Sequence, residues 1–175
     1  MGLSNYIFKN ILGWKIKGSF NQDIKKSVII VVPHTSWHDF FVGLYARKAL
    51  QTPINWLGKK ELFTWPLSYY FRWTGGTPLD RTSGQNKVEA IAKIFQMKEE
   101  FRLAMAPEGT RKKVAKWKTG FYYIAKEANV PIIPVAFDYG TKTVKVGNPF
   151  YISGDIENDL EELRKFFEGV VGKKY

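Results

Sequence analysis

The stretch Ser27–Val32, "SVIIVV", constrains the fold of this chain more than any other segment. Five β-branched residues follow one another there without a charge, and Lys26 and Pro33 bound the run. β-Branched side chains favour strands, and an uninterrupted apolar strand is typical of a sheet that is buried on both faces. The segment therefore predicts a central strand with helices on both sides of its sheet.

Helical and strand patterns alternate along the rest of the chain. In the predicted helix Ser36–Leu50, the apolar residues Trp37, Phe40, Phe41 and Leu44 recur at the spacing i, i+3, i+4 and i+7. Short apolar runs such as "RLAMA" and "PIIPVAF" read as strands between the helices. This alternation predicts the α/β class, with a largely parallel, mixed sheet flanked by helices.

The length of 175 residues suits one domain with its own core. We therefore expect a single domain over residues 1–175. At its ends, the spacing of apolar residues predicts a short helix within residues 1–12 and a C-terminal helix over residues 156–171.

Both histidines of the chain lie in one segment, "PHTSWHDF", directly after the central strand. Loops that follow parallel strands meet at one edge of a sheet, where ligands usually bind. His34 and Asp39 would diverge by about 140° on a regular helix. They can meet if His34 lies in the loop and Asp39 in the first helical turn, with Ser36 as the N-cap. A carboxylate that orients a neutral imidazole suits general base catalysis on a substrate hydroxyl.

Two other interpretations compete for the same residues. Ser36 and Asp39 form an S-x-x-D pattern close to a capping box, so Asp39 could serve only to begin a helix. His34 and His38 are spaced i, i+4 and could share a metal ion with Asp39, although the chain has no further histidine and no cysteine to complete a typical zinc site. This segment alone leaves the three interpretations open.

Two further loops carry residues suited to a phosphate group. The segment "APEGTR" follows a predicted strand and contains Glu108, Gly109, Thr110 and Arg111. Glycine permits a tight backbone turn, and a guanidinium can hold a phosphate through two parallel hydrogen bonds. The segment "GGTPLDR" offers Arg81 in the same way. A solvated turn is the alternative for each loop by itself.

The charge of the chain indicates which classes of partner it can attract. Lys and Arg number 27 against 16 Asp and Glu, giving a formal net charge of +11, and such a surface attracts anionic lipid, phosphate-rich ligands or nucleic acid. One basic cluster follows the "PEGTR" segment and comprises Lys112, Lys113, Lys116, Trp117 and Lys118. Lysines around an indole suit an anionic bilayer surface. The segment "LFTWPLSYYFRW" could add an aromatic-rich face to such a membrane contact, but we expect most of its aromatic rings to lie in the core.

Several classes of protein are disfavoured by composition. The chain has no cysteine, which excludes disulfides and thiolate metal sites. No run of about 18 apolar residues predicts a membrane-spanning helix. The first residues, "MGLSNYIFKNILGWKIKG", lack the features of a signal peptide.

Four segments in this order resemble the blocks of the glycerolipid acyltransferase family, which includes the 1-acylglycerol-3-phosphate acyltransferases. They are the H-x-x-x-x-D of His34–Asp39, the segment Gly76–Arg81, the P-E-G-T-R of Pro107–Arg111, and "VPIIPV" at residues 130–135. Each block is a weak signal alone, whereas four in register over residues 33–135 form a specific one. The resemblance implies a glycerol phosphate acyltransferase-like α/β fold.

The resemblance also implies an activity. It implies O-acyl transfer in phospholipid biosynthesis, from acyl-CoA or acyl-carrier protein to the hydroxyl of a lysophospholipid or glycerol phosphate-type acceptor. His34 would be the general base and Asp39 its partner, without a metal or organic cofactor. The residues that would bind the acceptor are Arg81, Glu108, Gly109, Thr110 and Arg111.

The expected partners follow from this interpretation. Besides donor and acceptor, we expect the anionic inner face of the cytoplasmic membrane, with the chain lying peripherally on it from the cytoplasmic side. Residues 1–12 and the basic cluster are the expected contacts, and the cluster could instead hold the phosphates of the donor. We expect no nucleic acid, because no nucleic-acid motif accompanies the charge. A lipid or thioester hydrolase and a basic nucleic-acid-binding module are the alternatives.

Overall fold

The computed structural model describes residues 6–79, 86–112 and 114–174, which form one α/β domain as the alternation predicted. Within these residues the strands are β1 (Lys15–Lys17), β2 (Lys26–Val32), β3 (Trp56–Lys59), β4 (Gly76–Leu79), β5 (Phe101–Met105), β6 (Ile132–Asp138) and β7 (Thr143–Val146). The α-helices are α1 (His38–Ala49), α2 (Leu67–Trp73), α3 (Lys87–Met97), α4 (Gly120–Ala128) and α5 (Ile156–Lys165).

The predicted central strand, β2, lies in the middle of the sheet. It pairs in parallel with β5 on one side and β6 on the other. β7 runs antiparallel to β6, and β1 runs parallel to β7 at the edge. β3 and β4 form a separate parallel pair that an isolated bridge from Asn55 to Leu103 joins to β5. The sheet is therefore mixed but largely parallel, as expected.

The side chains of β2 alternate between two apolar cores. Val28 and Ile30 belong to a cluster that includes Phe95 of α3, whereas Ile29 faces a second cluster that includes Val42 of α1. All three β2 side chains are at most 1% exposed. Because both faces are covered, apolar residues are favoured at successive positions from Val28 to Val32, which explains the uninterrupted run.

Both predicted terminal helices differ from expectation. Near the N-terminus the structure has a π-helical turn, Ile7–Ile11, in which the Leu12 N–H donates to the carbonyl of Ile7. The C-terminal helix begins at Ile156 as predicted but ends at Lys165. After the helix, the backbone hydrogen-bonds to other parts of the chain. The carbonyl of Val171 accepts the N–H of Tyr139, and the N–H of Lys173 donates to Thr35 Oγ1.

The expectation that most rings of the aromatic segment lie in the core was wrong. No residue of α2 is buried, and Trp65 and Tyr69 are 83% and 76% exposed. Phe63 and Phe71 pack on Trp56, with ring centroids 6.1 and 5.8 Å away. Phe63 and Phe71 therefore pack against the domain, whereas the other aromatic rings of the segment are exposed.

The helices are also short. In the parts of the chain that the structure describes, none is long and apolar enough to cross a bilayer.

Candidate active site

Three loops meet where the parallel strands β2, β5 and β6 end. The loop after β2 carries His34, the loop after β5 carries Glu108, and Tyr139 directly follows β6. The carboxyl ends of neighbouring parallel strands lie at one edge of a sheet, and this order of strands brings together side chains that are far apart in sequence.

His34 and Asp39 are in contact. His34 Nδ1 lies 3.2 Å from Asp39 Oδ2; the imidazole is partly exposed, whereas the carboxylate is buried. As predicted, His34 lies in the loop and Asp39 in the first turn of α1. A proton on Nδ1 that faces the carboxylate leaves Nε2 as the acceptor nitrogen of the neutral ring.

Asp39 is held by four hydrogen bonds. Its Oδ2 accepts the N–H groups of Thr35 and Ser36 at 2.8 and 2.9 Å, besides the contact with His34, and its Oδ1 accepts the hydroxyl of Tyr139 at 2.6 Å. Burial raises the pKa of Asp39, but the hydrogen bonds from His34, Tyr139 and Ser36 outweigh burial and hold that pKa below its usual value. The carboxylate is therefore charged at neutral pH.

Two of the three interpretations of Asp39, helix capping and pairing with His34, each describe part of the geometry. Its carboxylate reaches back to the Ser36 N–H, as the acidic residue of a capping box does, and it also contacts His34. The predicted capping by Ser36 is found one residue before the position at which the helix boundary falls. Trp37 directly precedes α1 and makes no side-chain cap bond, whereas Ser36 Oγ accepts the backbone N–H of His38 at 3.3 Å and lies 2.8 Å from Nδ1 of the same residue.

The contacts of His38 are with Trp37 and Ser36. Its ring stacks on Trp37 with centroids 3.9 Å apart, and its Nδ1 contacts Ser36 Oγ. Within residues 6–79, 86–112 and 114–174, no group of three His, Asp or Glu side chains is arranged to hold a metal ion. The geometry therefore favours the His34–Asp39 pair over a shared metal as the function of this segment.

Glu108 joins the "PEGTR" loop to the histidine loop. Its Oε2 accepts the backbone N–H of His34 at 2.6 Å, and its side chain is buried. Burial raises the pKa of Glu108, the hydrogen bond from His34 opposes that rise, and the charge of Asp39 adds to it; the net pKa is raised. This bond places the loop that continues to Arg111 beside the candidate base.

Gly109 is required by the backbone of this loop. Its φ is +63°, and a Cβ at this position would lie 2.8 Å from the side chain of Lys118. The adjacent Thr110 and Arg111 are exposed, and Thr110 Oγ1 accepts the N–H of Lys112. Arg81, the other predicted acceptor residue, lies outside the described residues.

The basic cluster is divided by the fold. Lys112, Lys116 and Lys118 are exposed, whereas Trp117 packs its ring on Phe121 and Phe167, with centroids 6.3 and 5.6 Å away. The indole that we expected among the surface lysines therefore belongs largely to the edge of the core. Lys113 lies outside the described residues.

An apolar cavity of about 270 Å³ lies beside the pair and was not predicted from the sequence. His34 and Asp39 form part of its wall, and most of the remainder is apolar. Apolar lining residues include Val31, Phe40, Leu44, Ile54, Trp56 and Phe137. Arg47 borders the cavity and donates to the carbonyls of Ile54 and Thr74.

Tyr139 was also missed. Its position at the end of a predicted strand was a usable signal, because the same rule led to His34 and Glu108. Burial raises the pKa of Tyr139, and the bond to Asp39 raises it further, so the side chain remains a hydroxyl donor at neutral pH. The ring packs edge-on against Trp14 at 4.9 Å, and its backbone N–H is held by Val171.

The fold and the site define an α/β enzyme that has an imidazole–carboxylate pair beside an apolar cavity. A sequence model of the family described as Acyltransferase matches residues 14–138. This chain of 175 residues therefore belongs to the Acyltransferase family. The resemblance to glycerolipid acyltransferases is confirmed by the relatives that the chain matches.

One relative is the 1-acyl-sn-glycerol-3-phosphate acyltransferase of Haemophilus influenzae, with 26% identity over 94% of this chain and 75% of that protein. Another is the protein of the same name from Escherichia coli, with 31% identity over 62% of this chain and 46% of that protein. The chain thus spans three quarters of the first and less than half of the second.

A solved structure shares the fold. The crystal structure of the 1-acyl-sn-glycerophosphate (LPA) acyltransferase PlsC from Thermotoga maritima matches 97% of this chain and 80% of that chain, with a TM-score of 0.59 and 18% identity. At this identity the likeness concerns the fold alone.

Proposed function

We propose that this chain transfers a fatty acyl group from a thioester donor to the free hydroxyl of a lysophospholipid or another glycerol phosphate-type acceptor. The observation that carries the proposal is the His34–Asp39 pair on the wall of an apolar cavity, with contacts of 3.2 Å between the two side chains. The names of the two relatives from Haemophilus influenzae and Escherichia coli support the same class of acceptor.

His34 acts as the general base in this proposal. Its Nε2 takes the proton of the acceptor hydroxyl while the hydroxyl oxygen attacks the thioester carbonyl carbon. When the C–S bond breaks, the imidazolium returns the proton to the sulfur, and the products are the ester and a free thiol. Asp39 keeps the ring oriented through Nδ1 and stabilises its charged form.

An oxyanion forms on the carbonyl oxygen during this attack and needs hydrogen-bond donors. The N–H groups of Thr35 and Ser36 lie close to the pair, but both already donate to Asp39 Oδ2. They are therefore committed to orienting the carboxylate, and the oxyanion takes its donors from elsewhere.

The apolar cavity binds the acyl chain in this proposal. Its lining is largely apolar, and transfer of each methylene from water to such a site is worth about 0.8 kcal/mol. A chain bound there lies next to His34, because the imidazole forms part of the same wall.

The loop Glu108–Arg111 binds the acceptor's phosphate together with Arg81. The bond from the His34 N–H to Glu108 Oε2 supports this assignment, because it fixes the loop beside the base. Arg111 supplies the planar fork that suits a phosphate group.

The lysines Lys112, Lys113, Lys116 and Lys118 bind the donor, through the phosphates of acyl-CoA or the acidic surface of acyl-carrier protein. Lys118 supports this assignment because its side chain packs beside Gly109 of the "PEGTR" loop. Trp117 is partly buried against Phe121 and Phe167, which leaves less of its indole for a bilayer contact at the same place. We further propose that the chain works peripherally at the inner face of the cytoplasmic membrane.

Mass spectrometry of the lipid products tests the proposal. The purified chain is given acyl-CoA or acyl-carrier protein with a panel of lysophospholipids and glycerol phosphate, and thiol release is measured in parallel. We expect thiol and acylated lipid in equal amounts, with thiol release dependent on the acceptor. Thiol release without an acylated lipid would instead indicate a hydrolase. No thiol release, together with salt-sensitive binding of nucleic acid, would favour the basic binding module.

A further inference from the structure

A continuous group of exposed apolar side chains lies on the segment after β3 and on the first turns of α1. We call this surface the aromatic ledge. Its members are all more than one third exposed, and they are Trp37, Phe41, Leu62, Trp65, Leu67, Tyr69, Tyr70 and Trp73.

The two parts of the ledge meet in space. Phe41 of α1 lines a small second pocket together with Tyr70 and Trp73 of α2. Tyr69 and Trp73 are spaced i, i+4 and thus project from the same side of the helix. The rings on α1 and the rings on α2 therefore share one surface, and Leu62, Trp65 and Leu67 are exposed on the segment that leads into α2.

The underside of the ledge forms a wall of the apolar cavity. Trp56 contacts both Phe40 and Phe71, with ring centroids 5.8 Å away in each case. Phe40 and Trp56 both line the cavity beside His34. A ligand that covers the outer face of the ledge consequently lies one layer of aromatic rings away from the cavity.

Basic side chains border the ledge. Lys59, Lys60 and Arg72 flank or belong to the aromatic segment, against one acid, Glu61. Lys48 of α1 lies over the ring of Trp73, with its Nζ 4.5 Å from the ring centroid. The surface therefore combines exposed aromatic rings with a positive border.

We propose that the aromatic ledge docks this protein on an anionic lipid bilayer. Tryptophan and tyrosine are the residues enriched at the boundary between headgroups and hydrocarbon, and lysines near that boundary are attracted by anionic lipid. The choice of a lipid surface rests on the proposed function, in which the acceptor is a lipid and the cavity behind the ledge binds an acyl chain.

The charge of the border favours a bilayer over a second copy of the chain. Two ledges facing each other would bring their positive borders together, and like charges in apposition oppose association. Docking through the ledge also differs from docking through the lysines after the "PEGTR" loop, where Trp117 is packed inward. The two surfaces can therefore be separated by substitution.

Vesicle flotation tests the ledge with a matched pair of variants. One variant carries Trp65→Ser and Tyr69→Ser, at side chains that are 83% and 76% exposed. The control carries Met97→Ser and Tyr151→Ser, which remove apolar side chains that are 85% and 69% exposed elsewhere on the chain. Binding is measured on vesicles of phosphatidylglycerol and phosphatidylcholine, at low and high salt.

We expect the ledge variant to bind these vesicles roughly tenfold more weakly or worse, since burial of a single large apolar side chain is worth about that factor. The control variant should bind like the unmodified chain. Vesicle binding of the unmodified chain should weaken as salt rises and when phosphatidylglycerol is left out, because the basic border acts through charge. Turnover on a soluble, short-chain acceptor should stay at the unmodified level in the ledge variant.

Several outcomes would overturn the docking proposal. Equal vesicle binding by the ledge variant and the unmodified chain is one. Loss of binding in a Lys112→Gln, Lys116→Gln, Lys118→Gln variant, with full binding by the ledge variant, is another. A dimer in light scattering that dissociates in the ledge variant would assign the ledge to self-association. If the unmodified chain acylates no acceptor yet binds vesicles through the ledge, the proposed activity fails and the docking surface stands.

Discussion

Two aspartates of this molecule, Asp39 and Asp159, occupy closely similar sites. Both are at most 2% exposed, and both accept the hydroxyl of a tyrosine, at 2.6 Å from Tyr139 and 2.9 Å from Tyr122. Both also accept at least one backbone N–H, which in Asp159 comes from Ser153 at 3.0 Å. Burial raises the pKa of each carboxyl, and hydrogen bonds outweigh burial so that each pKa is lowered.

The sites differ in what lies beside the carboxylate. Asp39 contacts an imidazole that is partly exposed on a cavity wall, whereas Asp159 of α5 accepts bonds from Ser153 and from Tyr122 of α4. A buried carboxylate with a lowered pKa is thus not by itself a sign of catalysis. An imidazole on a cavity wall accompanies Asp39, and in the described residues that feature separates the first site from the second.

His34→Ala should produce the largest effect, because it removes the imidazole that distinguishes the Asp39 site from the Asp159 site. We expect turnover to fall by on the order of a hundred- to ten-thousand-fold, the usual contribution of a general base. His38→Ala is the matched control and should change turnover little, since the contacts of His38 are with Trp37 and Ser36. Steady-state thiol release measures both variants, and equal losses at the two histidines would contradict the assignment.

Asp39→Asn should lower turnover by on the order of a hundredfold or more. An amide at this position carries no negative charge to stabilise an imidazolium, while its oxygen can still accept the N–H groups of Thr35 and Ser36. Turnover is measured per folded molecule, with the folded fraction taken from circular dichroism. Wild-type turnover in a folded Asp39→Asn variant would show that the carboxylate only caps α1.

Asp159→Asn should affect stability alone. The variant leaves hydrogen bonds from Tyr122 and Ser153 mismatched, and we expect a loss of about 1–3 kcal/mol in the free energy of unfolding. Turnover per folded molecule should not change. Urea unfolding monitored by circular dichroism gives the stability, and a loss of turnover comparable to that of Asp39→Asn would remove the distinction between the sites.

The pH dependence of the free energy of unfolding gives a further test of Asp159→Asn. Because the pKa of Asp159 is lowered in the folded state, its contribution to stability is fully present above the unfolded carboxyl pKa of about 4. That contribution is lost as pH falls through the folded pKa. The stability difference between the unmodified chain and Asp159→Asn should therefore be constant near neutral pH and shrink below about pH 4. A difference that grows on acidification would contradict this.

Removal of the two tyrosine hydroxyls should give the smallest effects. Tyr122→Phe should cost about 1 kcal/mol of stability and leave the pH profile of kcat/KM unchanged, since that tyrosine donates only to Asp159. Tyr139→Phe should reduce turnover several-fold and move the acid limb of that profile to higher pH. The reason is that the lost hydrogen bond helps to hold the pKa of Asp39 low. Identical pH profiles for the two variants would assign Tyr139 a structural role only.

Much of the edge of the sheet that carries the candidate site could be predicted from the sequence. The apolar run Val28–Val32 predicted a strand, and the loops after it and after β5 were expected at the same edge of a parallel sheet. A contact between His34 and Asp39 could be predicted because they are only five positions apart. Over so short a separation the backbone allows few relative positions of two side chains. The position of Tyr139 after β6 was a usable signal, but its contact with Asp39 could not be found from local spacing, because the hydroxyl reaches Asp39 across 100 residues of sequence. The cavity likewise depends on residues that are far apart in sequence.

The sequence by itself determined the alternation of strands and helices and the central strand, because these depend on short-range periodicity and propensity. It also indicated that His34 and Asp39 can meet, as one of three interpretations of that segment. Only the tertiary structure decided that Asp39, and not Asp159, contacts an imidazole on a cavity wall, and which aromatic rings are covered. Phe71 packs on Trp56 while Trp65 and Tyr69, a few residues away, remain exposed. Burial depends on what the rest of the chain places over a side chain, and a local pattern of apolar residues does not contain that information.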